Sequence, residues 1–147
     1  MHLLDVNAII ALFWPSHVHH ADVHRWFAKR GKGGWATCSF TQAGFVRIVS
    51  NPAFSKDAAT PAEALRILIS NLRSPRHHFL ADDVGFTVLV EPLAGNLVGH
   101  RQITDVYLLG LALRHNAKLA SLDNGITALL PSDKTLQGVV ALIPTTN

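Results

Sequence analysis

Apolar residues recur along this chain in two rhythms, and each predicts a different kind of element. Short continuous runs at residues 2–4, 35–38, 78–81, 118–122 and 139–143 are too brief for helices and predict buried strands. The longer stretches between them carry apolar residues at helical spacing. Asp5 is placed to cap a helix over 6–12, which Pro15 stops. A second helix is predicted over 16–30, with Val18, Ala21, Val23, Trp26 and Phe27 at its apolar positions. Residues 31–34, Gly-Lys-Gly-Gly, make a flexible turn. Ser39 as N-cap and Gln42 match a capping box, opening a helix that ends at Asn51-Pro52. Pro61 opens another, with Ala64, Leu65, Ile67, Leu68 and Leu72 on its inner face. Residues 84–99 are ambiguous between a short helix and a strand, followed by a loop with Pro92 and Gly95.

The segment 102–113 stands apart. Thr104 is a good N-cap, Asp105 follows in the first turn where backbone N–H groups lack partners, and nearly everything after it is apolar. Such a helix is wrapped in core, and a carboxylate at its mouth is costly unless something uses it. Asp5 and Asp123 stand at similar junctions, each just after a predicted strand.

Strands alternating with helices imply a parallel sheet covered on both faces, an α/β/α sandwich with a mainly parallel sheet of four to five short strands. Sites in such folds form beyond the C-terminal strand ends. Asp5, the turn at 39–42 and Asp123 leave strands at that edge, and Asp105 can join them from a helix N-terminus. The three acids predict one metal site.

Composition narrows the setting. The 147 residues are 48% hydrophobic and 16% charged, which excludes a disordered chain and fits one domain over 1–147. Cys38 is the single cysteine, so no internal disulfide is possible and a reducing, cytoplasmic setting is expected. No apolar run is long enough for a membrane span, and the apolar N-terminus carries Asp5 without a basic flank, so no signal peptide is expected. A formal charge of +3 is compatible with a polyanionic partner.

Three carboxylates brought together repel unless a hard cation joins them. The acids are not accompanied by a Cys or His pair with zinc spacing, so Mg²⁺ is expected, with Mn²⁺ as a substitute. Metal of this kind serves phosphodiester hydrolysis.

The chain resembles the PIN-domain proteins, and more narrowly the VapC-type toxins of bacterial toxin–antitoxin pairs. The resemblance rests on Leu-Leu-Asp-Val-Asn at 3–7, Thr-Gln-Ala-Gly-Phe-Val-Arg at 41–47, Arg-Gln-Ile-Thr-Asp-Val-Tyr-Leu at 101–108 and Leu-Ala-Ser-Leu-Asp-Asn-Gly at 119–125. It implies a PIN-like fold and a Mg²⁺-dependent endoribonuclease, usually a homodimer, silenced by a small VapB-like antitoxin whose tail reaches the site. It implies Asp5, Asp105 and Asp123 as catalytic metal-site acids, with Asn7, Thr104 and Ser121 as supporting polar residues. The family commonly has Glu where this chain has Gln42, which keeps a carbonyl oxygen but loses a charge. Gln42 is therefore read either as a site residue that orients water or as the capping-box partner alone. Arg101, beside the acids, is the expected phosphate contact, and Arg47 a contact for phosphate, an antitoxin carboxylate or solvent.

Other features have simpler readings. Asp82 and Asp83 are expected to be solvated turn acids, and His20 and His24, although four apart, surface or packing residues. Lys29, Arg30 and Lys32 are expected to be solvated charge, and Trp14, Trp26 and Trp35 core or dimer contacts. The expected reaction is cleavage of single-stranded or loop RNA. Its rivals are a metal-dependent nuclease acting on DNA or as a general 5′ nuclease on the same acids, and a catalytically weakened PIN-fold module that binds RNA or antitoxin without efficient cleavage. A flavodoxin-like nucleotide binder ranks low, because no Gly-rich phosphate loop follows the first strand.

Overall fold

Leu3 and Leu4 are both fully buried, yet they point to opposite sides of their strand and belong to different cores. Leu119 and Ala120, and Ala36 and Trp35, divide in the same way. That division defines three layers, and it is why these strands read as continuous apolar runs. The computed structural model describes residues 1–132 and 136–146.

The strands are β1 (His2–Leu4), β2 (Trp35–Thr37), β3 (His77–Phe79), β4 (Lys118–Ser121) and β5 (Val140–Leu142). They form a five-stranded sheet in the order β3-β2-β1-β4-β5, parallel at every pairing. Leu3 lies opposite Ala36 on one side and Leu119 on the other, so β1 is the central strand. The expectation of a parallel, doubly covered sheet holds, with shifts of one or two residues at strand ends.

The helices are α1 (Val6–Phe13), α2 (His20–Arg30), α3 (Ser39–Val49), α4 (Pro61–Leu72), α5 (Phe86–Val90) and α6 (Ile103–Arg114). The ambiguous region is α5 followed by a 3₁₀ turn over Glu91–Asn96. One core packs the sheet against α5 and α6, the other against α1 to α4. As expected of a helix wrapped in core, Val106 to Ala112 of α6 are all buried. Gly110 is required there: a Cβ would lie 2.3 Å from the Leu89 carbonyl oxygen, so α5 could not seat.

Four expectations are corrected. Helix α2 begins at His20, four residues after Ser16, because the His17 ring accepts the His19 N–H and its carbonyl accepts the His20 N–H, making a turn. Helix α3 is capped by Cys38, not Ser39; the box partner is Thr41, whose Oγ1 accepts the Cys38 N–H at 3.0 Å, and this frees Gln42. Thr104 is not an N-cap: a 3₁₀ turn, His100–Gln102, leads in and α6 begins at Ile103. Leu65 is exposed, so the inner face of α4 rests on Ala64 and Leu68.

Histidines 20 and 24 are packing residues, as expected. Their rings bond the Ala11 and Leu12 carbonyl oxygens at 2.7 and 2.9 Å, pairing groups that the end of α1 would otherwise leave open. Trp35 is core, flanked by Phe13, Phe27 and His77, and Trp14 packs on Phe54. No helix of the described residues is long and apolar enough to cross a membrane.

Candidate active site

The chain leaves β1 at Asp5, and that residue serves two structures at once. Its backbone is extended and its Oδ1 accepts the Val6 N–H at 2.6 Å, capping α1. Its Oδ2 accepts the Ser121 hydroxyl at 2.9 Å. Ser121 Oγ in turn accepts the Asp123 N–H at 3.0 Å, so one buried hydroxyl ties the end of β1 to the end of β4. Asp123 then turns its Oδ1 onto the Gly125 N–H at 2.7 Å and opens a 3₁₀ turn, Asn124–Leu129. A Cβ on Gly125 would stand 3.0 Å from that oxygen, which makes glycine the fitting residue.

Asp105 reaches the same edge from the first turn of α6. Burial pushes its pKa up to about 6, and the charges of Asp5 and Asp123 add to the shift. Asp5 is also pushed up, first by burial and further by Asp123, against the bonds from Ser121 and Val6 that favour its charge. The structure thus brings Asp5 and Asp123, far apart in the sequence, near enough to Asp105 to oppose its ionisation.

These acids do not form a closed cage. Among the described residues no three His, Cys, Asp or Glu side chains stand as a ready-made ligand set. Both oxygens of Asp5 and one of Asp123 are held by local hydrogen bonds. The donor chemistry nonetheless fits a hard divalent cation: the donors are carboxylate oxygens, and their mutual repulsion is what such an ion would relieve.

The remaining expected site residues fall into two groups. Asn7 is exposed on the first turn of α1, next to Asp5. Arg101 is exposed in the turn that leads into α6, and Thr104 is half-buried beside Asp105. Gln42 and Arg47 line a groove of about 600 Å³ between α3 and α4, with Ser39, Val46, Leu65 and Leu68. The Gln42 amide donates to Thr37 Oγ1 at 2.9 Å, and Thr37 Oγ1 lies 2.8 Å from His77 Nε2. Thr37 is fully buried at the end of β2, and burial, with His78, pushes the His77 pKa down. The chain of bonds therefore runs from the Gln42 amide through the Thr37 hydroxyl to a neutral imidazole. None of the hydrogen bonds of the described residues joins Gln42 to the acids.

Asp82 and Asp83 are not free turn acids. Asp82 accepts the Tyr107 hydroxyl at 2.6 and 2.7 Å, and Asp83 pairs with Arg114. Both fasten the loop after β3 onto α6. Lys29, Arg30 and Lys32 are exposed where the chain enters β2, at the opposite end of the sheet from the acids. Sequence reasoning missed Thr37 and Tyr107. A threonine inside a buried strand and a tyrosine inside an apolar helix were the available signals, since a buried hydroxyl needs a partner.

The model of the PIN domain matches residues 2–129. Ribonuclease VapC38 of Mycobacterium tuberculosis is 46% identical over 129 residues, covering 88% of this chain and 89% of that protein. Ribonuclease VapC29 of the same species is 40% identical over 145 residues, covering 98% and 97%. In fold, the chain is similar to VapBC2 from Rickettsia felis, solved bound to a DNA fragment from their promoter. The TM-score is 0.61 at 16% identity, over 96% of this chain and 97% of that one. FitAB bound to the IR36 DNA fragment aligns with TM-score 0.61 at 18% identity, over 97% and 93%.

Proposed function

Because the chain belongs to the PIN-domain family, among the ribonucleases of the VapC type, we propose that it is a Mg²⁺-dependent endoribonuclease acting at Asp5, Asp105 and Asp123. The observation that carries this reading is the approach of Asp5 and Asp123 to Asp105, whose pKa burial first, and then their charges, push up to about 6. Burial alone explains a raised carboxyl; a raised carboxyl facing two others at the strand ends is a place prepared for positive charge.

Asp5, Asp105 and Asp123 would hold the ion, with Mn²⁺ able to replace it. When bound, the ion supplies charge that favours ionisation of the attacking water and offsets negative charge developing on the phosphate. The protein's own contribution is placement. Ser121 fixes Asp5 relative to Asp123, the α1 cap fixes its rotamer, and α6 delivers Asp105 with its first-turn N–H groups beside it. Asn7 and Thr104 would be supporting polar groups, and Arg101, exposed before α6, would contact a phosphate of the RNA.

The likeness to VapC proteins also supports a place in a toxin–antitoxin pair, with a small antitoxin as partner, action as a homodimer, and residence in the cytoplasm. The α3–α4 groove, with exposed Leu65 and with Arg47 on its wall, suits an amphipathic segment carrying an acid.

The test is cleavage of RNA and of matched DNA with Mg²⁺, comparing wild type with Asp105→Asn. Cleavage of RNA alone, reduced at least about 100-fold in the variant, is the expected result. Equal cleavage by the variant would overturn the site, and cleavage of DNA alone would overturn the substrate. One observation favours a second reading, a weakened binding module: the Gln42 amide is turned onto Thr37. That reading predicts RNA or antitoxin binding by a wild type that neither cleaves nor takes up Mg²⁺ at millimolar levels.

A further inference from the structure

Just before α6 the chain runs over the surface, and residues 98–101 are all exposed, Val98 by 92%. A stretch of this kind is ordinarily mobile, yet here it is held at both ends. At its base Leu97 packs on the core beside α5 and α6, and the Asn96 amide donates to the Leu129 carbonyl oxygen at 3.1 Å. Leu129 closes the turn that Asp123 opens. At the other end Gln102 Oε1 accepts two backbone N–H groups, from Val98 at 2.8 Å and from Gly99 at 3.2 Å. The Gln102 N–H donates to the Gly99 carbonyl oxygen at 3.1 Å. A Cβ on Gly99 would meet nothing within 4 Å, so hydrogen bonds, not packing, set this bend. The result is a short arm, fastened on one side to the turn that follows Asp123 and on the other to the helix that carries Asp105.

We infer that Gln102 is a positioning residue: it presets this arm so that the Arg101 guanidinium meets a phosphate of the RNA strand. The inference rests on the nuclease reading for its ligand. Arg101 lies inside the bend that Gln102 closes, four residues before Asp105. The ion pairs of the described residues are made by Asp22 and Asp83, and none engages Arg101. A guanidinium so placed keeps its donors for an outside anion, and the oxygens of a phosphodiester match its planar fork. An exposed loop that contacts a ligand must first be ordered, which weakens binding; a loop already bent avoids that loss. Removing the Gln102 acceptor would disturb the fold little, because Val98 and Gly99 are exposed and water can take their N–H groups. The effect on binding is therefore separable from stability.

Anisotropy of a labelled single-stranded RNA on the metal-free protein, over a range of salt, reads binding without cleavage. Arg101→Ala should weaken binding about tenfold and lower the salt slope by about 0.7, the loss of one phosphate contact. Gln102→Met removes the acceptor at nearly constant volume and should weaken binding about threefold. In that background Arg101→Ala should add little, because the arm is already released. Gln102→Glu keeps an acceptor, so in its background Arg101→Ala should again weaken binding about tenfold. Hydrogen exchange reads the cause: the Val98 and Gly99 amides should lose protection in Gln102→Met and keep it in Gln102→Glu. With Mg²⁺, Gln102→Met should raise KM with kcat little changed. Coupled binding by a wild type that cuts no RNA would leave the inference standing and remove the nuclease reading. The inference is overturned if wild type binds no RNA at low salt, or if Arg101→Ala binds RNA as wild type does, which would leave Arg101 to another partner. It is equally overturned if the losses from Gln102→Met and Arg101→Ala add, if Gln102→Met leaves the two amides protected, or if it lowers kcat at unchanged KM.

Discussion

Asp5 and Asp22 are both buried aspartates, at 6% and 5% exposure, and the fold treats them in opposite ways. Asp22, near the start of α2, is matched on every side. It accepts the Thr146 hydroxyl at 2.7 Å and the Thr146 N–H at 3.2 Å, and pairs with Arg25 and His19. Led by the Thr146 hydroxyl, these partners hold its pKa below the usual carboxylate range. Asp5 has two good hydrogen bonds, yet burial pushes it up, and the charge facing it is another carboxylate, Asp123. Asp105 is pushed up further. Burying a carboxylate is therefore not by itself a sign of function. What distinguishes the sheet edge is like charge left unmatched, whereas Asp22 fastens the C-terminal segment to α2 and is complete without any ligand.

Substitution by asparagine should move stability in opposite directions at the two places. Asp22→Asn should lower the melting temperature at neutral pH by several degrees, because Arg25 and Thr146 lose the charge they surround. Asp105→Asn should raise it in metal-free protein. The shift from 3.8 to about 6 would correspond to about 3 kcal/mol if fully transmitted. The residue is only half-buried and sits at a helix N-terminus that favours its charge, so about 1 kcal/mol, near 3 °C, is expected. Melting curves of both variants and wild type in EDTA check the two signs; a lower melting temperature for Asp105→Asn would break the comparison.

The pH dependence sharpens it. Asp22 has a depressed pKa, so its stabilisation is present above the unfolded value near 4 and is lost as pH falls through the folded one. Asp105 has a raised pKa, so its destabilisation is absent below about 4 and develops as pH rises through about 6. Wild type in EDTA should lose stability between pH 4 and 6 relative to Asp105→Asn, and millimolar Mg²⁺ should restore it at pH 7 in wild type alone. Denaturant midpoints across that range are the measurement, and parallel curves would contradict the assignment.

The smallest effect expected is at Gln42. A glutamate there cannot donate to Thr37, so Gln42→Glu should reverse the chain and make His77 the donor. The His77 pKa should rise, as read from its imidazole resonances, and Mg²⁺ affinity should increase a few-fold if position 42 faces the ion. An unchanged His77 would show that the Thr37 bond is not part of a connected chain.

Much of this was legible in the sequence, and the failures share a cause. The runs at 2–4 and 118–122 and the buried helix over 103–114 are local patterns, and they place Asp5, Asp123 and Asp105 at one edge without any knowledge of contacts. Capping was misplaced by a residue at Cys38 and by more at Gln102 because several hydroxyl and amide side chains competed for the same backbone groups. What could not be read joins distant positions: Asp5 to Ser121, Asp82 to Tyr107, and Gly110 to the Leu89 carbonyl. Hydrophobic periodicity says which face is buried, not which polar atom waits on the other side.

Isothermal titration of the metal-free protein with Mn²⁺, for wild type and the single variants Asp5→Asn, Asp105→Asn and Asp123→Asn, bears most directly on the claim that these acids share one cation. Binding in wild type that weakens at least tenfold in each variant is the predicted result. A variant of any one of the three that binds Mn²⁺ with wild-type affinity would contradict it.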